Sequence, residues 1–104
     1  MAQNITRCKL RDLGENYEVI EPISVEIAAL VGDSGTLYWS TAVGIRNELV
    51  FGVGRTKLLA IEMLKELLTE YYVNLMSSDL DRCWNEDYWL DKQMLKRSVR
   101  ESTT

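Results

Sequence analysis

The chain has 104 residues, 46% hydrophobic and 27% charged, a balance that fits one folded domain and excludes disorder across the whole chain. Its net charge of −4 and isoelectric point near 4.8 do not fit a dedicated nucleic-acid binder with a basic surface and favour encounter with a basic partner. It has no histidine and two cysteines, Cys8 and Cys83, so Ser-His-Asp and Cys-His catalytic sets are excluded, a zinc site lacks ligands, and two free thiols are expected.

In chain order, residues 1–16 are polar and mixed. Arg7, Lys9 and Arg11 alternate with Cys8 and Leu10, which predicts an N-terminal arm or an edge strand, closed by a turn over Asp12–Asn16. The first residues, Met1–Arg7, lack the apolar core of a signal peptide, and no run approaches the roughly 18–20 apolar residues of a membrane span. A cytoplasmic location is the expectation.

Residues 17–31 read as strand. Ile23, Val25, Ile27, Ala29 and Val31 share one face at period two, and Ser24, Glu26 and Ala28 share the other. Pro22 cannot donate to a ladder, so it marks a strand start, an edge or a bulge, with Tyr17–Glu21 as a separate short strand. Gly32-Asp33-Ser34-Gly35 is a hairpin connection. Thr36–Val43 follows as a second strand, Leu37, Trp39, Thr41 and Val43 facing one way and Tyr38, Ser40 and Ala42 the other. After a turn over Gly44–Asn47, Glu48–Val53 is the third strand.

Thr56 is placed to cap the clearest helix in the chain. From Lys57 to about Met76, Ala60, Ile61, Leu64, Leu67, Leu68, Tyr71, Tyr72 and Leu75 fall on one stripe of a 3.6-residue helix. On the other side Glu62, Glu66 and Glu70 are like charges at i, i+4, which repel, and Lys65 offsets part of this. Ser77-Ser78-Asp79 ends the helix. Residues 79–91 are acidic and carry Trp84, Tyr88 and Trp89; residues 92–100 are basic, with Lys92, Lys96, Arg97 and Arg100. Acid first and base last suits the helix macrodipole, so a second helix is predicted from Asn85 to about Arg100, followed by a frayed tail. The acids in these polar runs are expected on a solvated face.

Gly52-Val53-Gly54-Arg55-Thr56 has the composition of a phosphate-binding strand-to-helix turn, but lacks the third glycine of G-x-G-x-x-G and a suitably spaced P-loop lysine. A tight β–α turn is the expected role. No catalytic, cofactor-binding or metal-ligating residue is assigned. Trp84, Tyr88 and Trp89 are candidate partner-binding anchors, or else aromatics that fold back onto the open face of the sheet. Lys92, Lys96, Arg97 and Arg100 are candidate phosphate contacts for nucleic acid, or else a solvated helix end.

Tyr38-Trp39-Ser40-Thr41-Ala42-Val43-Gly44, followed by Gly52-Val53-Gly54-Arg55-Thr56-Lys57-Leu58-Leu59-Ala60-Ile61, resembles the HicB-like antitoxin domain: a strand, its glycine, a G-x-T turn and a helix that opens on alanine. The likeness extends over about residues 20–76. It lacks the proline of the family's Asp-Leu-Pro-Gly at Thr41-Ala42-Val43-Gly44, and residues 79–104 carry no recognisable ribbon-helix-helix or helix-turn-helix. The resemblance implies a β-β-β-α core that oligomerises, commonly as a homodimer, and sequesters a small basic ribonuclease toxin.

The expected fold is α+β: a three- or four-stranded antiparallel sheet with one long amphipathic helix packed on one face, plus a C-terminal helix. Residues 1–16 would be the arm or edge strand, 17–78 the HicB-like core and 79–104 a helical extension. The expected function is non-catalytic partner binding, with a nucleic-acid-binding or regulatory role for the basic C-terminal helix as the alternative and a small enzyme as a third reading.

Overall fold

The computed structural model describes residues 5–77 and 85–102. Period-two alternation in the first half of the chain becomes sheet, and the 3.6-residue stripe after it becomes helix. The strands are β1 (Ile5–Asp12), β2 (Tyr17–Gly32), β3 (Gly35–Ala42), β4 (Phe51–Gly54) and β5 (Val99–Glu101); the helices are α1 (Lys57–Ser77) and α2 (Glu86–Ser98). The sheet is antiparallel in the order β1-β2-β3-β4, and β5 pairs with the start of β2. The fold is α+β, as the pattern predicted.

Residues 5–12 are an edge strand in register with β2, from Ile5 opposite Ala28 to Leu10 opposite Ile23. Its outer side carries Arg7, Lys9 and Arg11, charges of the kind that blunt an exposed edge. Tyr17–Glu21 is not a separate strand: β2 runs unbroken through Pro22. Proline is tolerated there because β5 pairs only with residues 17–19 and β3 only from Val25 onward, while β1 shifts register between Leu10 and Asp12. The missing N–H falls in a gap in the ladders.

The predicted third strand over Glu48–Val53 starts later, at Phe51. Asn47 takes the preceding backbone for a local turn: its side-chain oxygen accepts from the Leu49 N–H at 3.0 Å and its carbonyl from Val50 at 3.2 Å. Gly44 turns the chain into this loop with φ of +94°, a conformation side-chain-bearing residues avoid.

One face of the sheet is the core face. Leu10, Ile23, Val25, Ile27 and Ala42 are buried there with Leu64, Leu68, Tyr72 and Leu75 of α1 and Leu95 of α2. All eight stripe residues of α1 are buried or half-buried. Beyond the reach of α1 the β2–β3 hairpin projects, and Val31 is 83% exposed although it shares a face with Ile27.

The second predicted helix ends at Ser98, short of Arg100, because Val99 turns extended, buries its branched side chain and pairs with Val19. Glu101, expected in a frayed tail, lies opposite Tyr17, and the Ser102 N–H donates to the Asn16 carbonyl at 2.9 Å.

Glycines 52 and 54 set how closely α1 lies on the sheet. A methyl group at Gly52 would collide with the Ala60 carbonyl and lie 2.6 Å from the Leu64 nitrogen; at Gly54 it would lie 2.6 Å from the Leu59 Cβ. Ser40 Oγ, fully buried, donates to the Ala60 carbonyl at 2.8 Å. Helix backbone therefore rests directly on strand backbone, with one hydroxyl bridging them.

Each large stripe side chain contributes roughly 1.5–3 kcal/mol when buried, before entropy. Leu64→Asp, which buries a charge between α1 and the sheet, is expected to unfold the domain, read as loss of the cooperative transition in circular dichroism. Gly52→Ala is expected to cost about 3 kcal/mol and to lower the melting temperature by roughly 12 °C or more. Gly32→Ala, where the nearest atom is 3.8 Å away, is expected to change it by only a few degrees.

Candidate functional site

The residues singled out in the C-terminal region do not converge on one site. Trp84 lies outside the described residues. Tyr88 and Trp89 sit on α2, 39% and 40% exposed. The Tyr88 ring meets Tyr71 edge-on with centroids 6.5 Å apart, so Tyr88 helps hold α2 to α1. Trp89 shares an outward stripe with Lys92 and Lys96 at i, i+3 and i+7, and Arg97 is turned about 100° from Lys96. Arg100 lies in β5, where its guanidinium donates to the Glu18 carboxylate at 3.0 and 3.3 Å. The basic cluster of the sequence is thus divided between a helix face and a cross-strand ion pair.

The Gly52–Thr56 turn is a packing device. Its helix N-terminus is occupied by Thr56, whose hydroxyl accepts from the Leu59 N–H at 3.1 Å as the sequence predicted. Among the described residues no His, Cys, Asp or Glu group is arranged to hold a metal ion. Cys8 is a free, half-buried thiol on the inner side of β1; Cys83 lies outside the described residues.

A groove of about 560 Å³ lies between the 12–17 turn and α1. Asp12, Glu15, Glu62, Glu66 and Glu70 line it, against one cation, Lys65. That lysine is committed: its Nζ lies 3.2 Å from Asp12 Oδ1. The Lys65 hydrogen bond, with a second from the Gly14 N–H, holds the Asp12 carboxyl below the usual carboxylate range. Glu62, Glu66 and Glu70 form an exposed i, i+4 ridge with no basic residue in the last turn of α1. Such a ridge costs the helix a few tenths of a kcal/mol per pair.

One functional-looking acid escaped sequence reasoning. Asp91, expected on a solvated face, is fully buried. Its carboxylate accepts the backbone N–H groups of Arg46 at 2.7 Å and Asn47 at 3.0 Å, and the Tyr71 hydroxyl at 2.6 Å. Every buried side-chain polar atom among the described residues has a partner, and Asp91 is one of these satisfied groups. It is a structural clasp that ties α2 and α1 to the loop before β4. The signal for it was the spacing: Asp91, Leu95 and Ser98 are the buried i, i+4, i+7 positions of α2.

Burial first, and then donation to the Asp91 carboxylate, push the Tyr71 hydroxyl well above the ordinary tyrosine value of 10.0; burial also raises Tyr72. The folded protein holds these protons more tightly than the unfolded chain. Their contribution to stability is therefore complete below about pH 10 and is lost as pH rises above it.

Asp91→Ala strands three part-buried donors and is expected to cost roughly 3–5 kcal/mol in chemical denaturation. Tyr71→Phe, which removes one donor, is expected to cost about 1–2 kcal/mol and to weaken the decline in stability above about pH 10. Lys65→Met is expected to move the Asp12 titration upward toward the ordinary carboxylate range, followed by NMR from pH 2 to 6.

Comparison of the chain with protein-family models, curated proteins and solved structures finds no match.

Proposed function

We propose that this chain is a non-catalytic, HicB-like partner-binding protein that takes up a small basic protein, of the kind represented by a HicA-like ribonuclease toxin, in the acidic groove between the 12–17 turn and α1. The observation that carries this reading is the groove itself: five carboxylates around about 560 Å³, with the single lysine already bound to Asp12. The like-charge ridge Glu62–Glu66–Glu70 lowers helix stability when the protein is alone, and a cationic surface laid against it relieves that repulsion. A net charge of −4 steers a basic partner toward the protein and accelerates encounter.

The groove rests on rigid support. The Thr69 hydroxyl, at its floor, donates to the Lys65 carbonyl at 2.7 Å, and Leu13 of the turn is buried against the core. The ordering cost of binding then falls on the exposed glutamate side chains and not on the backbone beneath them.

The tagged protein, recovered from its native host at low ionic strength, is expected to retain a basic protein of small size that degrades RNA when released. The triple variant Glu62→Lys, Glu66→Lys, Glu70→Lys exchanges one like-charge ridge for another, so it is expected to fold with thermal stability close to wild type and to lose that protein. Equal recovery by both forms, or recovery unaffected by raising salt from 50 mM to 1 M, would overturn the reading.

A further inference from the structure

The two edges of the sheet are unlike one another. β4 is four residues long and has α1 beside it, where the Val53 N–H donates to Met63 Sδ at 3.3 Å. β1 is eight residues long, and among the described residues β2 is the only strand that pairs with it. Its register is unbroken from Ile5 to Leu10, with no bulge or proline in that stretch to turn an approaching strand away.

The hydrogen-bond phase of the sheet tells which groups on this edge are open. In an antiparallel ladder the N–H and C=O of one residue point to the same side, and successive residues alternate. The Ser24 carbonyl accepts from the Val43 N–H at 2.8 Å, so Ser24 points toward β3 and Val25 toward β1, where it lies opposite Cys8. Thr6, Cys8 and Leu10 therefore bond to β2. Ile5, Arg7 and Lys9 present their N–H and C=O groups to the open side. Carried across β3, the same alternation sends the Val53 N–H outward from β4, as its bond to Met63 requires.

The side chains of these residues add a sign. Arg7, Lys9 and Arg11 recur at every second position along the outer side of β1. Arg7 commits only Nε to Glu26, and its side chain is 79% exposed. Lys9 stands opposite Ser24 and, like Arg11, is in no ion pair among the described residues.

We propose that β1 is a docking edge for an extended acidic segment of another protein, which joins the sheet as an antiparallel strand. The backbone groups of Ile5, Arg7 and Lys9 take up its main chain. Carboxylates at every second position then lie directly opposite Arg7 and Lys9, where opposite charges attract across a ladder. The residue between two such acids falls opposite Cys8, the half-buried thiol on the inner side, so it is apolar. The pattern recognised is acid, apolar, acid in extended conformation. A second copy of this chain is excluded by the same cations, because its own Arg7 and Lys9 would stand opposite them; charges that reject one strand select the other. The net charge of −4 does not prevent the contact: at about 0.15 M salt the Debye length is about 8 Å, so the nearest cations govern. This edge takes a ligand opposite in sign to that of the acidic groove and lies on another element, so each reading can fail without the other.

The test is NMR of the full isotope-labelled chain at about 0.15 M salt, titrated with a capped seven-residue peptide that has glutamate at its second, fourth and sixth positions and valine or threonine elsewhere. Saturable binding is expected. The Arg7 and Lys9 amides should shift more than those of Thr6, Cys8 and Leu10 and exchange with solvent about 10-fold more slowly at saturation. Lys9→Glu is expected to weaken binding about 5-fold or more. Lys9→Pro removes an N–H that faces the open side, so the fold survives while binding falls well below that of Lys9→Thr, which removes only the charge. If Lys9→Pro folds poorly, Lys9→Glu, a change at an exposed side chain, decides alone. Absence of binding at millimolar peptide overturns the proposal. So do shifts that map away from β1, equal β1 shifts from a peptide with lysine in place of glutamate, or equal β1 shifts from an RNA oligonucleotide, which offers phosphates but no strand. β1 shifts that grow with protein concentration alone also overturn it, since they mark pairing of two copies. Contact of the lysine peptide with the acidic groove is told apart by its position, near Glu62 and Glu66 on α1.

Discussion

The contact between helix backbone and strand backbone at Gly52 and Gly54 positions everything else. Only hydrogen at those two Cα atoms lets Ala60 and Leu59 descend onto β4, and the Ser40 hydroxyl then satisfies the Ala60 carbonyl in a place water does not reach. Seated this low, α1 turns Leu64, Leu68 and Leu75 into the sheet and Glu62, Glu66 and Glu70 away from it. The acidic groove exists because the helix has this rotation. The bare outer face exists because both helices join the core on the opposite side.

A second constraint holds the C-terminal part to this frame. Asp91 reaches from α2 to two backbone N–H groups in the loop before β4 and to Tyr71 on α1. A carboxylate with three donors is stabilised inside a protein, whereas the same group with its donors removed is strongly destabilising. The clasp works with β5, which adds Val99 to the core and extends the ladder on β2. Helix and strand together make residues 85–102 a continuation of the same sheet and core.

The sequence made the α+β class readable because its two periodicities are clean: period two through Ile23, Val25 and Ile27, and the 3.6-residue stripe of α1, both of which the structure buries. What it hid were competitions between local and distant partners. Glu48–Val50 has strand-forming alternation, yet Asn47 offers those residues a turn and Asp91, far along the chain, pins that turn from outside. Val99 looks like the last turn of a helix until the edge of β2 is available to pair with it. In the strand Thr36–Val43, alternation separated two faces but did not say which was inner. Leu37 and Trp39 face out, and Ser40 and Ala42 face in with Tyr38; at Ser40, opposite Gly52, α1 approaches too closely for a larger side chain. The i, i+4 run of glutamates was legible as a like-charge ridge but not as a groove, because the other wall, Asp12 and Glu15, joined it only through tertiary structure.

The two surfaces work by different physics, and this keeps them independent. The groove attracts through charge, which salt weakens once separations exceed the Debye length of about 8 Å at physiological strength. The outer face exposes apolar area, whose burial salt leaves as favourable or strengthens. Ionic strength therefore separates the two: it weakens any contact made with the Glu62–Glu66–Glu70 ridge and spares any contact made through the apolar area around Trp39.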